Sequence, residues 1–424
     1  MLDRTESPRA VKPLDIGWVR AQFPSLAREM NRRPIAYLDG PGGTQVPARV
    51  IDAMANYLRA HNANTCGAYA TSRETDQMIA DARSAMADFL GSDPNEIVFG
   101  PNMTSLTYAI SRSLGRELGP GDQILVTRLD HDANVSPWRA LEECGAKVEF
   151  VDIRREDCTL DMDDLERKLG SRSKILAVGY ASNAVGTIND VKRAVRLAHR
   201  AGALAYIDAV HYAPHGPINV GELDCDFLVC STYKFFGPHM GVLFGKREHL
   251  AKLEPYKLRA NTNRVPERWE WGTLNHESIA GIAASVDYLA ELGKRSEPAA
   301  SRRREAIEAA YRAIQAHERR LIEIMLAGLE PIRGLRLYGI GHPAQPGSRC
   351  PTFAVRLAGR TPLELARKLG DEGIFTWDGN YYAIDLSERL GLENDGGFLR
   401  IGFVHYNTEE EAGRVLEFLR SQAA

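Results

Sequence analysis

Two apolar runs in the middle of the chain end in residues that could do chemistry together. The first run ends at Asp208, and the second leads into Lys234. In open α/β sheets, ligands bind at the carboxyl ends of the strands, so neighbouring strands could aim both side chains at one pocket. A lysine amine that faces a carboxylate suits imine chemistry, with the acid keeping a pyridine nitrogen protonated. A surface lysine and a turn-capping aspartate fit this pair about equally well, and the two residues alone leave both alternatives open.

Three further turns place polar groups after strand candidates. Residues 99–105 run from a strand into a helix through Gly, Pro, Asn and Thr, which offers backbone N–H groups to a phosphate. His131 and Asn183 follow two other strands, where an imidazole could stack on a planar ring and an amide could donate to a ring oxygen. An ordinary βα turn, a loop histidine and a turn asparagine are the structural alternatives. The convergence of polar groups at successive strand ends favours one shared site.

The alternation of short apolar runs with helical patterns indicates the fold class. Strand candidates lie at residues 96–100, 123–127, 147–151, 174–180, 203–208, 227–231 and 241–245. Helical patterns between several of them predict βαβ units and an α/β fold with a mostly parallel sheet. The strand runs are almost continuously apolar, as is typical of strands that are buried on both faces. Short strand and helix patterns resume after residue 334, which predicts a smaller C-terminal α+β domain.

Length, charge and cysteine usage exclude several classes of protein. The chain has 424 residues, which favours two domains or one large domain with appendages. Its net charge of −3 gives no electrostatic support for nucleic-acid binding. Its apolar stretches are far shorter than a bilayer span, and its polar N-terminus lacks the core of a signal peptide. We therefore expect a cytoplasmic protein that binds neither membrane nor nucleic acid. The six cysteines form no close CxxC pair, so we expect reduced thiols and no metal site.

Several motifs in a fixed order resemble those of the class V aminotransferases, which are fold-type I pyridoxal-phosphate enzymes, and most of all the cysteine desulfurases. The resemblance begins at Asp15 with DIGWVRAQFPSL and runs to the end of the chain. Its most specific stretches are SNAVGTIND (182–190), YIDAVH (206–211), STYKFFGP (231–238), WGTLN (271–275) and LRIGFVHYNT (399–408). The resemblance implies the cofactor pyridoxal 5'-phosphate and a large cofactor-binding domain with a mostly parallel central sheet.

The resemblance also implies a role for each matching residue. Lys234 would bind the cofactor aldehyde, Asp208 would pair with the pyridine nitrogen, and His131 would stack over the ring; these three are the expected catalytic residues. The other expected cofactor-binding residues are Asn183 and His211 beside the ring hydroxyl, and Asn102, Met103, Thr104, Ser231, Tyr233 and Thr273 around the phosphate. Thr273 would reach in from the second subunit of a homodimer with shared active sites.

Five residues are expected to bind the substrate. Arg400 matches the arginine that clamps the substrate carboxylate, a bidentate task that lysine performs less well. Gly43 belongs to a glycine-rich loop that either approaches the substrate or serves only a tight turn. Trp377, Asp378 and Tyr382 either line the pocket or pack between the domains, and we favour the pocket.

Two departures from the desulfurase pattern bear on the activity. Tyr233 stands where desulfurases usually have a histidine, although a phenol can still donate to a phosphate. A desulfurase also needs a mobile cysteine shortly before the carboxylate-binding arginine, and no cysteine occurs after Cys350. Cys350 itself lies too early in the chain to match. We therefore expect no persulfide relay on a protein thiol.

The sequence predicts a pyridoxal-phosphate enzyme that acts on an amino acid. We rank β-elimination of the C–S lyase type first, transamination second and epimerisation third. A binding protein that kept the fold and lost catalysis is the alternative of another class. The expected division is an N-terminal segment at residues 1–35 that packs on the small domain, a large domain at 36–274 and a small domain at 275–424.

Overall fold

The computed structural model describes residues 12–342 and 347–423, so residues 1–11 of the expected N-terminal segment lie outside the described part. Its strands are β1 (Glu29–Met30), β2 (Arg33–Pro34), β3 (Ala36–Tyr37), β4 (Ile97–Gly100), β5 (Gln123–Thr127), β6 (Lys147–Val151), β7 (Ile153–Arg154), β8 (Thr159–Leu160), β9 (Ser173–Gly179), β10 (Leu204–Asp208), β11 (Phe227–Ser231), β12 (Gly241–Gly245), β13 (Leu335–Tyr338), β14 (Thr352–Leu357), β15 (Ile374–Phe375), β16 (Trp377–Gly379) and β17 (Phe398–Gly402).

The helices are α1 (Ile16–Ala21), α2 (Ala48–Asn56), α3 (Ala70–Leu90), α4 (Met103–Gly115), α5 (Ser136–Arg139), α6 (Met162–Lys168), α7 (Val191–Arg200), α8 (Val220–Leu223), α9 (Arg247–Lys252), α10 (His276–Ser296), α11 (Arg303–Leu329), α12 (Pro362–Asp371), α13 (Ile384–Leu390) and α14 (Glu409–Gln422). Among the described residues, no helix combines the length and the apolar character that crossing a bilayer requires.

Seven strands form the central sheet, in the order β4-β12-β11-β10-β9-β5-β6. Only β12 runs against its neighbours, so the carboxyl ends of the other six strands meet at one edge. Most residues of these strands are buried because helices cover both faces of the sheet. The prediction of an α/β fold with a mostly parallel central sheet is confirmed.

The strand register places the turns that carry the expected site residues at the same height along the edge of the sheet. Asp208, the last residue of β10, pairs with Gly179 on β9 and with Val229 on β11. The turns after β9, β10 and β11 therefore leave the sheet side by side. Because β5 lies next to β9, its following turn joins the same group.

A second sheet, β13-β14-β17-β16, is antiparallel and covers a separate apolar core. Trp377 on β16 pairs with Arg400 on β17, which aims this part of the small sheet at the carboxyl edge of the large one. Helix α11 serves both units: Tyr311 lies in the core of the large sheet and Met325 in the core of the small one. The domain boundaries stay predictions, since one continuous helix joins the two cores.

The N-terminal part of the described chain contacts both units. Arg20 of α1 forms an ion pair of 2.9 Å with Glu411 of α14. Phe23 packs in the core of the large sheet, with its ring centroid 5.0 Å from that of Tyr406. Strand β3 pairs in parallel with β15, so the chain enters the glycine-rich loop from the small unit.

Gly241 allows helix α4 to start close against the central sheet. A Cβ atom at this position of β12 would lie 2.4 Å from the backbone carbon of Asn102. Asn102 caps α4, because its side-chain oxygen accepts a hydrogen bond of 2.8 Å from the backbone N–H of Ser105. The missing side chain at position 241 thus fixes where the helix N-terminus stands.

We expect Gly241→Ala to destabilise the protein by about 1–3 kcal/mol, because the added methyl group must displace backbone atoms. Urea unfolding monitored by fluorescence measures this effect. The control is Gly413→Ala in α14, where a Cβ meets open space and a helical alanine is favourable. Equal stability of the two variants would contradict the close approach.

Candidate active site

A cavity of about 430 Å³ opens at the carboxyl edge of the central sheet, where the small sheet faces it. All the expected site residues except Gly43 and Thr273 line it. They are Asn102, Met103, Thr104, His131, Asn183, Asp208, His211, Ser231, Tyr233, Lys234, Trp377, Asp378, Tyr382 and Arg400. The two sheets therefore contribute different groups to one cavity.

Lys234 lies on the turn after β11, with its amine inside the cavity wall. Nζ donates to the carbonyl oxygen of Gly42 at 2.9 Å and also to that of Pro41. Burial is the main cause that lowers the pKa of the Lys234 amine to about 7, and the nearby Arg400 cation lowers it further. Asp39 and Asp208 oppose this shift. Near neutral pH, a substantial fraction of this amine is therefore uncharged.

Thr44 joins the glycine-rich loop to the lysine turn. Its backbone N–H and its hydroxyl both donate to the carbonyl oxygen of Tyr233, at 3.0 and 3.1 Å. The Thr44 hydroxyl oxygen also accepts a hydrogen bond of 2.9 Å from the backbone N–H of Phe236, which has a positive φ of 72°. These contacts fix the turn that carries Lys234.

Asp208 is a buried carboxylate at the floor of the cavity. One oxygen accepts a hydrogen bond of 2.8 Å from the backbone N–H of Val210. Burial raises the pKa of Asp208 to about 6, despite the opposing effects of that hydrogen bond and of the Lys234 charge. A cationic group placed against this carboxylate would favour its ionised form.

Asp130 is a second buried acid in the cavity wall that the sequence did not single out as a site residue. It accepts hydrogen bonds from the backbone N–H of Gly179 at 2.6 Å and from the hydroxyl of Thr127 at 3.0 Å. Burial and the neighbouring Asp208 hold the pKa of Asp130 well above its usual range. Asp130 therefore ties β5 to β9, and its burial beside Asp208 favours its neutral form.

His131 begins the turn after β5 and presents a neutral imidazole. Its Nδ1 accepts a hydrogen bond of 3.0 Å from the backbone N–H of Ala133, so the ring proton lies on Nε2. Burial and the Lys234 charge lower the pKa of His131 to about 4. The centroid of the imidazole lies 5.4 Å from that of the Tyr382 ring, at an interplanar angle of 35°.

Arg400 reaches the cavity from β17 and is held on several sides. Nη2 donates to Asp39 Oδ1 at 2.8 Å, and Nη1 donates to the carbonyl oxygen of Asn183 at 3.0 Å. The guanidinium lies 4.1 Å from the centroid of the Tyr381 ring. Its Nε is buried, without a hydrogen-bond partner in the part of the chain that the structure describes. Asp39 is thus a charge partner that the sequence motifs did not reveal.

The segment around β16 forms the rim of the cavity. Asn183 donates from its side-chain amide to the carbonyl oxygen of Tyr381 at 3.0 Å, which anchors the rim to the turn after β9. Tyr381 and Tyr382 both have positive φ angles, of 57° and 60°. Trp377 and Tyr382 remain 54% and 68% exposed. Each side chain therefore lines the rim of the cavity and also faces solvent.

The start of α4 can receive a phosphate group. The backbone N–H of Met103 donates to the hydroxyl of Ser231 at 3.2 Å, and this thirteen-residue helix directs its first N–H groups to the cavity. Tyr233 stacks on His239 with a centroid distance of 4.8 Å. Together with the acid and the amine, these donors fit the phosphate, the ring nitrogen and the aldehyde of pyridoxal phosphate.

Gly43 and Thr273 lie outside this cavity lining. A Cβ at Gly43 would lie 3.3 Å from the Tyr233 ring, so the glycine packs against that ring. Thr273 is exposed, on the segment that precedes α10. Their expected roles stay predictions.

We expect the Lys234 amine of the cofactor-free protein to acylate with a pH midpoint near 7, its lowered pKa. The neutral amine is the reactive form, so the rate should rise from pH 6 to 8 and then level off, whereas a free lysine side chain titrates at about 10.4. Competitive labelling with acetic anhydride, read out by peptide mass spectrometry, measures this midpoint.

Two variants test the sign of the charges around that amine. Asp39→Asn removes an anion that raises the pKa of Lys234 and should move the midpoint to lower pH. Arg400→Gln removes a cation that lowers it and should move the midpoint to higher pH. Shifts in the opposite directions would contradict the electrostatic account.

Comparison with known proteins places this geometry in a family. The model of the family described as "Aminotransferase class-V" matches residues 36–415. A protein named cysteine desulfurase from Pectobacterium atrosepticum is 32% identical over 419 residues, which cover 95% of this chain and 96% of that protein. A probable cysteine desulfurase from Halalkalibacterium halodurans is 30% identical, with 93% and 94% covered.

Solved structures agree with this placement. The apo cysteine desulfurase of Thermococcus onnurineus superposes with a TM-score of 0.86 at 27% identity, covering 97% of this chain and 98% of that one. A cysteine desulfurase from Escherichia coli superposes with a TM-score of 0.82 at 26% identity and the same coverage. The chain thus belongs to the class V aminotransferase family, and it is a pyridoxal-phosphate-dependent enzyme of fold type I.

Proposed function

We propose that this enzyme is a C–S lyase that acts on cysteine or a close analogue by β-elimination. The names of its relatives support the choice of a sulfur-bearing amino acid. The observation that carries the choice of elimination is the cavity lining, in which none of the described residues is a cysteine. Cys350, the cysteine nearest in sequence to the small sheet, is only 1% exposed.

The residues of the cavity divide the work of such a reaction. Bound pyridoxal phosphate would supply the electron sink for the pair released at the α-carbon. Asp208 would hold a positive charge at the ring nitrogen through a charge-assisted hydrogen bond. His131, neutral and planar, would cover one face of the ring. These roles suit the buried carboxylate and the uncharged imidazole that the chain presents.

Lys234 would move the proton. With a pKa lowered to about 7, its amine can accept the α-proton near neutral pH and can then, as the ammonium, donate it to the departing sulfur. The expected clamp for the substrate carboxylate is Arg400. Each terminal nitrogen of Arg400 spends one of its two N–H groups, on Asp39 and on the carbonyl oxygen of Asn183, so the guanidinium keeps N–H groups with which to bind a carboxylate.

The products of cysteine turnover distinguish the proposed reaction from its alternatives. β-Elimination converts cysteine and water to pyruvate, ammonia and hydrogen sulfide in equal amounts, whereas a thiol relay converts cysteine to alanine and leaves the sulfur as a persulfide. We expect pyruvate and sulfide in a ratio of about one, with at least a thousandfold loss of rate in Lys234→Ala. Coupled pyruvate and sulfide assays measure both quantities.

The two exposed cysteines supply the control for this experiment. Cys66→Ala and Cys144→Ala should leave the rate and the products unchanged. Alanine as the main product, or a sulfide yield that depends on one of these thiols, would overturn the proposal. Mercaptopyruvate would identify transamination, D-cysteine would identify epimerisation, and a protein that binds no cofactor would identify a non-catalytic relative.

We further propose that the enzyme is a homodimer with shared active sites and that it works in the cytoplasm. The segment between α9 and α10 exposes Tyr256, Leu258 and Trp271, and exposed large apolar side chains are typical of subunit interfaces. Thr273 lies on the same segment, outside the cavity of its own chain. All six cysteines are free, as suits a reducing compartment.

Mixing two inactive variants tests whether Thr273 acts across the dimer. Lys234→Ala removes the amine, and Thr273→Asp places a charge that repels the phosphate. If Thr273 serves the partner's site, each mixed dimer has one intact site, so an equal mixture after subunit exchange should regain about one quarter of the wild-type activity. Activity no higher than the mean of the two parent variants would contradict a shared site.

A further inference from the structure

A cluster of three ligand-type side chains lies behind the cavity wall. His211 and His215 follow β10, and Cys350 directly precedes the segment that enters β14. One nitrogen of each imidazole and the Cys350 sulfur all lie within 4.8 Å of one another. The three residues are 4%, 4% and 1% exposed. Polar groups buried this deeply need partners, either protein groups or a trapped water molecule.

His215 has one nitrogen that is used and one that is not. Its Nδ1 lies 3.0 Å from each carboxylate oxygen of Glu318, a buried residue of α11. Its Nε2 is buried and has no hydrogen-bond partner among the residues that the structure describes. Since the carboxylate takes the proton on Nδ1, Nε2 presents a lone pair to the cluster. This carboxylate–histidine arrangement is the one that orients metal-binding imidazoles in proteins.

The charges of the neighbourhood suit a divalent cation. A Cys350 thiolate and the Glu318 carboxylate together carry two negative charges, which a doubly charged metal ion would balance. The nearby Arg349 is engaged elsewhere: its guanidinium donates to backbone carbonyl oxygens, including those of Ile340 and Thr352. That cation is therefore held by carbonyl dipoles and makes no hydrogen bond to the Cys350 sulfur.

We propose that His211, His215 and Cys350 bind a Zn²⁺ ion. Two imidazoles and one thiolate are a ligand set that zinc prefers, and a solvent molecule would complete the tetrahedron. Zinc–nitrogen and zinc–sulfur bonds would place the ligand atoms about 3.3–3.6 Å apart. The ligand atoms lie within 4.8 Å of one another, so zinc binding would require the Cys350 side chain and the His211 ring to rotate towards the ion.

The ion would position a wall of the cofactor cavity. His211 lines the cavity as well as the cluster, and one of its nitrogens lies 3.2 Å from the hydroxyl of Thr352. Zinc would hold the imidazole of His211 in one orientation and tie the turn after β10 to the start of β14. Because the cluster is buried, the ion would bind as the chain folds.

Cobalt substitution tests the thiolate ligand directly and does not depend on the enzyme's activity. The full-length protein, refolded from urea with Co²⁺, should show a near-ultraviolet thiolate-to-cobalt charge-transfer band and the strong visible bands of a tetrahedral site. Refolded with Zn²⁺ instead and dialysed, it should retain about one zinc per chain by elemental analysis.

Two variants and a matched control locate the site. Cys350→Ala should lose the charge-transfer band, whereas Cys225→Ala, which removes another fully buried cysteine from the same apolar core, should keep it. Glu318→Gln keeps an acceptor for His215 and should weaken zinc binding about 10- to 100-fold. Wild-type protein that refolds without any thiolate band or retained zinc would overturn the proposal, and so would a band that persists in Cys350→Ala.

Discussion

The structure depends on the withdrawal of one amine, that of Lys234, and one carboxylate, that of Asp208, from water at the carboxyl edge of the central sheet. Asp208 is buried and Lys234 is half-buried, and burial is the largest cause of the change in the pKa of each, downward for the amine and upward for the acid. In water the two groups would be a charged lysine and a charged aspartate with little reactivity. The cavity wall therefore gives ordinary side chains protonation equilibria that lie close to neutral pH.

Two units must meet for this environment to exist. The large sheet supplies Asp208 and Lys234, and the small sheet supplies Arg400 through the pairing of β17 with β14 and β16. The glycine-rich loop lies between them, with Thr44 bonded to the lysine turn and Asp39 bonded to Arg400. A shift of either unit would change the field at the amine, because Arg400 and Asp39 act on its pKa in opposite directions.

Much of the large unit could be predicted from the sequence because its physics is local. The strand runs at 123–127, 147–151, 227–231 and 241–245 coincide with the strands of the structure, since apolar segments buried on both faces carry a continuous signal. The ends of the runs at 123–127 and 227–231 then identified the turns that carry His131 and Lys234.

Contacts between distant parts of the chain could not be predicted in this way. The ion pair of Asp39 with Arg400 joins residues 361 positions apart, and nothing in either segment indicates the other. The sequence does not indicate strand β16, because Trp377–Gly379 is only three residues long and ends in glycine. The cluster of His211, His215 and Cys350 was not expected either, since its cysteine lies far from its histidines in the sequence and nothing in either segment indicates the other. Such features are properties of the packing of the two units.

The most direct test of the central claim is to find where the cofactor attaches. Borohydride reduction of the holoenzyme, followed by proteolysis and mass spectrometry, measures which lysine carries the pyridoxyl group. The account requires the adduct on the peptide that contains Lys234, and its loss in Lys234→Ala. An adduct on another lysine, or none at all in protein that holds the cofactor, would contradict it.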